Sequence, residues 1–203
     1  MKNAVHTLLF SIALGAICSA LVVGASLFTA PYRDANEKAE KVRNFLAALD
    51  VPLDPAASAE EVLFFFERHV RPVKQDGIEL FEYTAQGEER PSAVAIPFSG
   101  SGVWGPIEGV LALEADRITI RGVRFYRQEE TPGLGGEIAS AGFQKQFRGK
   151  KIVSGTGEPG FKVRSPGTHD APNTVDAITG ATMTSDRVEA MLDRTAKTIG
   201  SDG

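Results

Sequence analysis

From Leu8 to Phe28 the chain carries no charged side chain. A helix over that stretch, rising about 1.5 Å per residue, covers roughly 30 Å, the thickness of the hydrocarbon core of a bilayer. The chain is therefore expected to begin with a transmembrane helix over residues 1–30, ended by Pro31. A cleaved signal peptide is the alternative, because Lys2 supplies a positive start and Val23-Gly24-Ala25 offers small residues for cleavage. The apolar run is long for a signal core and continues through Leu27 and Phe28, which favours the span. Cys18 reads as a packing residue in that helix; as the sole cysteine it excludes an intrachain disulfide and leaves the redox compartment unread. Lys2 is the only Lys or Arg before the span, whereas Arg33, Lys38, Lys41 and Arg43 follow it. Counted literally, those basic residues would keep the remainder of the chain in the cytoplasm.

The remainder has the composition of one globular domain. The net charge of the whole chain, −4, speaks against a basic nucleic-acid surface, and with 42% hydrophobic residues in the whole chain the remainder can bury a core. Residues 36–49 place Ala39, Val42, Leu46 and Leu49 on one helical stripe, a connector from the membrane into the domain. Ser58-Ala59-Glu60-Glu61 has the form of a capping box opening a second helix through Val70. Phe64, Phe65 and Phe66 cannot all face one core, and His69 near the helix end is expected at the surface, beside the helix dipole. After residue 76 the period changes. Ile78–Thr84, Ser92–Phe98, Val110–Glu114 and Ile118–Tyr126 read as strands of an antiparallel sheet, followed by a helix over 138–147, short strands at 151–153 and 161–164 and a loop over 165–174 leading to Asp176. The expected class is α+β: an N-terminal transmembrane helix (1–30), a helical connector (31–75) and a domain with an antiparallel sheet and flanking helices (76–203).

Three stretches carry the candidate chemistry. Asp176-Ala177-Ile178-Thr179-Gly180-Ala181-Thr182-Met183-Thr184-Ser185 precedes a helical pattern of Val188, Met191, Leu192, Thr195 and Ile199, so a helix is expected to begin near Ser185. Small residues and hydroxyls before the free N–H groups of a helix start make a seat for a phosphate, although Thr184, Ser185 or Asp186 serving only as a cap would produce the same pattern. Gly100 to Ile107 is a glycine-rich turn expected to pack Trp104; it lacks the dinucleotide fingerprint and the lysine of a P-loop. Gln128 to Glu137 holds a Pro and three glycines whose backbone can lie flat against a ligand, with Glu130 and Thr131 offering polar contacts.

In order along the chain, Gly102-Val103-Trp104-Gly105-Pro106-Ile107-Glu108-Gly109, Glu130-Thr131-Pro132-Gly133-Leu134-Gly135, Phe143-Gln144-Lys145-Gln146-Phe147 and Asp176 to Thr184 resemble the FMN-binding domain family of bacterial respiratory membrane complexes. The likeness is to the C subunit of the sodium-translocating NADH:quinone reductase and the G subunit of the Rnf complex, over about residues 95–195. It implies FMN attached covalently through a phosphoester, by a separate flavin transferase, to the last threonine of the Thr179-Gly180-Ala181-Thr182 segment, namely Thr182. Asp176, Thr179, Gly180 and Ala181 would shape the site or be recognised by the transferase, Thr184 would be a second choice for attachment, and Glu130, Thr131, Leu134 and Gly135 would lie near the flavin ring. The implied protein relays electrons between subunits of a membrane redox complex, is anchored in the lipid of the bacterial inner membrane and holds its domain on the periplasmic side, against the count of basic residues. A flavin-dependent sensor, or an anchor protein without flavin whose threonine segment is only a cap, are the alternatives.

Overall fold

The computed structural model describes residues 2–75, 77–167 and 171–200, so Met1 and part of the loop expected over 165–174 lie outside the described residues. The first helix, α1, runs unbroken over Lys2–Ala48 with Pro31 inside it. The expected stop at Pro31 is thus corrected, and the span and the connector helix are one element. Proline removes a single N–H bond and crowds the carbonyl four residues back, but the Ala-, Glu- and Lys-rich turns that follow propagate a helix readily. Residues 4–29 are exposed throughout, and the helix is long and apolar enough to cross a membrane. Cys18 is exposed on it, like its neighbours along the apolar stretch.

The other end of α1 belongs to the domain. Ala39, Phe45, Leu46, Ala48 and Leu49 are buried. Asp50 adopts φ 56° and Val51 N bonds back to Leu46 O at 2.9 Å, which closes the last turn with aspartate in the place usually given to glycine. Helix α2 (Ala59–His69) starts at the expected capping box: Ser58 Oγ accepts from Glu61 N, and Glu61 Oε2 accepts from Ser58 N at 2.7 Å. Of the three adjacent phenylalanines Phe64 is exposed, while Phe65 and Phe66 pack inward. His69 is half-buried and its ring stacks on Phe65 at 4.5 Å.

Five antiparallel strands follow in sequence order, β1 (Val70–Gln75), β2 (Ile78–Tyr83), β3 (Ala93–Ser101), β4 (Pro106–Glu114) and β5 (Ile120–Arg127). Alternation along β3 divides the core: Ala93 and Ala95 face α1 and α2, whereas Val94, Ile96 and Phe98 face the second layer. Small residues let α1 lie close to the sheet, and a Cβ on Gly122 would stand 2.5 Å from Ala48 O. Ala48 therefore sits beside the start of β5, while Phe45 lies 6.3 Å from Tyr126 and Lys41 Nζ 5.8 Å from the same ring. Going back along α1 toward its apolar part thus means going forward along β5, toward the loop that follows Arg127.

The second layer consists of a 3-10 turn (Gly135–Ala139), helix α3 (Ala141–Lys145), a parallel pair β6 (Lys162–Arg164) and β7 (Thr174–Asp176), and helix α4 (Thr182–Gly200). Phe143, Phe147, Phe161, Val188 and Leu192 fill the space between them and the sheet. Several expectations are corrected here. Residues 70–75 form an edge strand, hidden in the sequence by Pro72, so the sheet begins before the expected boundary at 76. The helix expected over 138–147 is divided at Ser140, whose hydroxyl caps α3. Residues 151–153 make only isolated bridges, to Thr119 and Pro159. Part of the expected loop before Asp176 is β7, too short at three residues to show any period.

Candidate functional site

Helix α4 begins at Thr182, three residues before the expected start. The first intrahelical bond runs from Ser185 N to Ala181 O at 3.0 Å, leaving the N–H groups of the first turn without helical acceptors. The preceding segment is a tight turn, with Ala181 N bonded to Ile178 O at 3.0 Å and Gly180 at φ 79°, a conformation that favours glycine. Ser185, 1% exposed, fastens the turn by accepting a hydrogen bond from Ile178 N at 3.2 Å. Thr184 is no cap. It is 4% exposed, and its hydroxyl donates to Glu130 Oε2 at 2.6 Å. Thr182, two residues earlier, is exposed.

Glu130 joins the three candidate stretches. Its other oxygen, Oε1, accepts from Val103 N at 2.8 Å and Trp104 N at 3.2 Å, so one buried carboxylate holds the β3–β4 turn, its own loop and the start of α4. Burial pushes this carboxyl up, but the bonds from Thr184, Trp104 and Val103 outweigh it and hold the group below the usual carboxylate range. Trp104, expected to pack in the turn, is 73% exposed instead, because the turn closes through Gly102 N to Gly105 O at 2.8 Å and turns the indole outward.

These elements enclose a cleft of about 290 Å³. Its buried floor is Glu130, Gly135, Ala181 and Thr184, and its exposed rim is Trp104, Thr131, Leu134, Gly180, Thr182 and Met183. Every expected site residue except Asp176 and Thr179 lines it. Thr179 lines an adjoining cleft of about 340 Å³ with Arg164, Gly180, Thr182 and Ser185. Asp176 ends β7, where its Oδ1 accepts from Gly167 N at 3.3 Å and its own N–H donates to Gln146 Oε1 at 2.9 Å. Trp104 and Met183 are site-lining residues that sequence reasoning missed, although each stands inside a stretch it singled out. A larger apolar cleft of about 440 Å³, lined by Ile78, Ile96, Ile118 and Ile199, lies at the other end of α4, away from these groups.

Residues 102–197 match the family model for the FMN-binding domain, the interval that contains every wall of the cleft. Over that interval, a little under half of the chain, the sequence is similar to the FMN-binding domain family. Among curated proteins it resembles the C subunit of the Na(+)-translocating NADH-quinone reductase: it is 28% identical to that of Yersinia pestis over 90% of this chain and 85% of that protein, and 40% identical to that of Chlamydia trachomatis over 49% and 38%. The corresponding protein from Parabacteroides distasonis, a solved structure, superposes with a TM-score of 0.69 at 27% identity, over 85% of this chain and 97% of that one. The NqrC structure from Shewanella oneidensis, 23% identical with a TM-score of 0.67, shares the fold over 80% of this chain and 98% of that one.

The residues present suit FMN. Trp104 (73%), Leu134 (45%) and Met183 (63%), three of the largest apolar side chains left exposed on the domain, surround the cleft, as a flat aromatic ring would require. Gly135 and Gly180 keep its walls free of side-chain bulk, and the start of α4 presents backbone N–H groups where a phosphate would sit.

Proposed function

We propose that this chain is the membrane-anchored FMN subunit of an ion-translocating NADH:quinone reductase, with FMN joined to Thr182 through a phosphoester and relaying electrons between subunits of the complex. The observation that carries this reading is the separation of the two threonines: Thr182 is an exposed residue at the mouth of a cleft, while the hydroxyl of Thr184 is committed to Glu130. When bound, FMN supplies reversible electron transfer, and the protein supplies its position and surroundings. The first turn of α4 stabilises the charge left on the esterified phosphate. Gly180 lets the chain turn sharply enough to bring Thr182 to the surface, where a flavin transferase reaches it. Trp104, Leu134 and Met183 give the ring an apolar wall and shield it from water.

The path of α1 supports an electron partner near the membrane. The apolar part of α1 and the loop after β5 leave the domain on the same side, which sets the loop that carries Glu130 at the anchor end of the sheet. In this reading α1 passes from membrane anchor to strut near Ala30, and the domain stands on the periplasmic side of the inner membrane. A reporter active only in the cytoplasm, fused after Gly203, should stay silent; strong activity would reverse the orientation. Mass spectrometry of the peptide containing Met183, from protein made together with a flavin transferase, tests attachment. FMN mass on Thr182 is expected, and unmodified peptide would reject the reading.

A further inference from the structure

Among the groups that wall the cleft, Glu130 alone is charged, buried and bonded only to neutral partners. Its acceptors are filled by two backbone N–H groups and one hydroxyl, at 2.8, 3.2 and 2.6 Å, and its side chain takes part in no ion pair among the described residues. At 5% exposure it is screened little by water. Its charge is also fixed in place. A Cβ at Gly135 would lie 2.8 Å from Oε2 and one at Gly102 2.4 Å from Oε1, so the neighbouring backbone leaves the carboxylate almost no room to swing. Gly135 and Thr184, which flank the carboxylate, both line the cleft.

Two cations beside the site are engaged by other carboxylates. The guanidinium of Arg127, on the strand that leads into the loop, is engaged by Glu108 at 2.9 Å, and that of Arg164, in the adjoining cleft, is engaged by Glu189. Glu129 adds a second carboxylate close to the β3–β4 turn, 2.5 Å from where a Cβ on Gly105 would stand. A flavin gains electrons on reduction, and an anion held in a poorly screened wall disfavours the added charge more than it disfavours the oxidised ring. Neutral hydrogen bonds keep the carboxylate ionised without cancelling its field at a distance.

We propose that Glu130 is a positioning residue that also acts electrostatically, tying the three stretches of the site together and, as a fixed negative charge in the cleft wall, holding the reduction potential of the bound FMN down. This rests on the reading that the FMN ring occupies the cleft. The residue acts through the field it places on the ring and through the Trp104 and Thr184 segments it holds.

The test is the midpoint potential of the membrane-anchored protein carrying FMN, for the unaltered chain, Glu130→Gln, Glu130→Asp and Thr184→Val, each with its flavin load measured by mass. Glu130→Gln keeps the shape and removes the charge, and its potential should rise. Glu130→Asp keeps the charge but draws it back toward the main chain, and should rise less. Thr184→Val loosens the same contact while the charge stays, and should shift least. An unchanged potential in flavin-loaded Glu130→Gln overturns the proposal; if that variant does not fold, an unchanged potential in loaded Glu130→Asp does so. A rise in Thr184→Val as large as that of the Glu130 variants assigns the effect to packing and also overturns it. Absence of flavin mass on the unaltered chain is a different result, which rejects the attachment at Thr182 and not the role of the charge.

Discussion

The floor and the rim of the cleft are built from the same short stretches, yet they obey different rules. On the floor, Glu130 and Thr184 are at most 5% exposed, and each has its polar group satisfied by a partner far away in sequence. On the rim, Thr182, Met183, Leu134 and Trp104 are exposed, and the last three leave apolar surface in water. Residues of like chemistry two positions apart, Thr182 and Thr184, fall on opposite sides of this divide. Hydroxyl chemistry alone thus does not distinguish the two threonines. Burial withdraws the Thr184 hydroxyl into the structure of the domain and leaves Thr182 at the surface.

The most severe challenge to this contrast is Thr182→Ala. It should abolish covalent FMN altogether while changing unfolding free energy by less than about 0.5 kcal/mol, since it removes an exposed hydroxyl. Mass spectrometry and a denaturant melt report the two sides separately, and flavin retained on the variant would place the bond elsewhere. On the floor the expected balance is reversed. Gly135→Ala would put a methyl group 2.4 Å from Thr184 Oγ1 and 2.8 Å from Glu130 Oε2, so the Glu130–Thr184 bond must give way. A cost of roughly 1–3 kcal/mol is expected in the same melt, as for other overpacked sites.

Thr184→Val keeps the volume of the side chain and leaves Glu130 one bond short, which should cost about 1.5 kcal/mol, the lower range for hydrogen bonds to charged groups. The same variant refines the contrast through pH. The bonds on Glu130 lower its folded-state pKa below its ordinary value, so the stability it contributes is present above that ordinary value and is lost as pH falls through the folded-state pKa. Without the Thr184 bond the folded-state pKa moves up, and acid unfolding followed by circular dichroism should begin at higher pH than in the unaltered protein. The smallest effect is expected from Leu134→Ala on the rim, within about 0.5 kcal/mol of the original stability. Its mark should be an altered absorption or fluorescence of bound flavin, and an unchanged spectrum would remove Leu134 from the ring's surroundings.

Local pattern made some of this legible and long-range packing concealed the rest. The uncharged run from Leu8, the Ser58–Glu61 capping box, the strands of the sheet from Ile78 onward and the stripe Val188, Met191 and Leu192 depend on neighbours a few residues apart, and the chain displays those neighbours in order. The stretches Glu130–Gly135 and Thr179–Thr184 are likewise visible as short runs of small and polar residues. Pro31 misleads because a local rule for stopping a helix is outweighed by the turns on either side. The strand at 70–75 is hidden because it takes its pairing from β2 alone.

Short-range pattern was enough to establish that an apolar helix precedes a mixed α and β domain, and that three glycine- and hydroxyl-bearing stretches accompany it. It took the packed domain to show that these stretches form one cleft, that Trp104 faces outward, and that Thr184 and not Thr182 is consumed by an internal bond. The reason is physical. Periodicity and capping record interactions over three or four residues, whereas the bond between Glu130 and Thr184 spans 54 positions and exists only once the sheet and α4 have packed together.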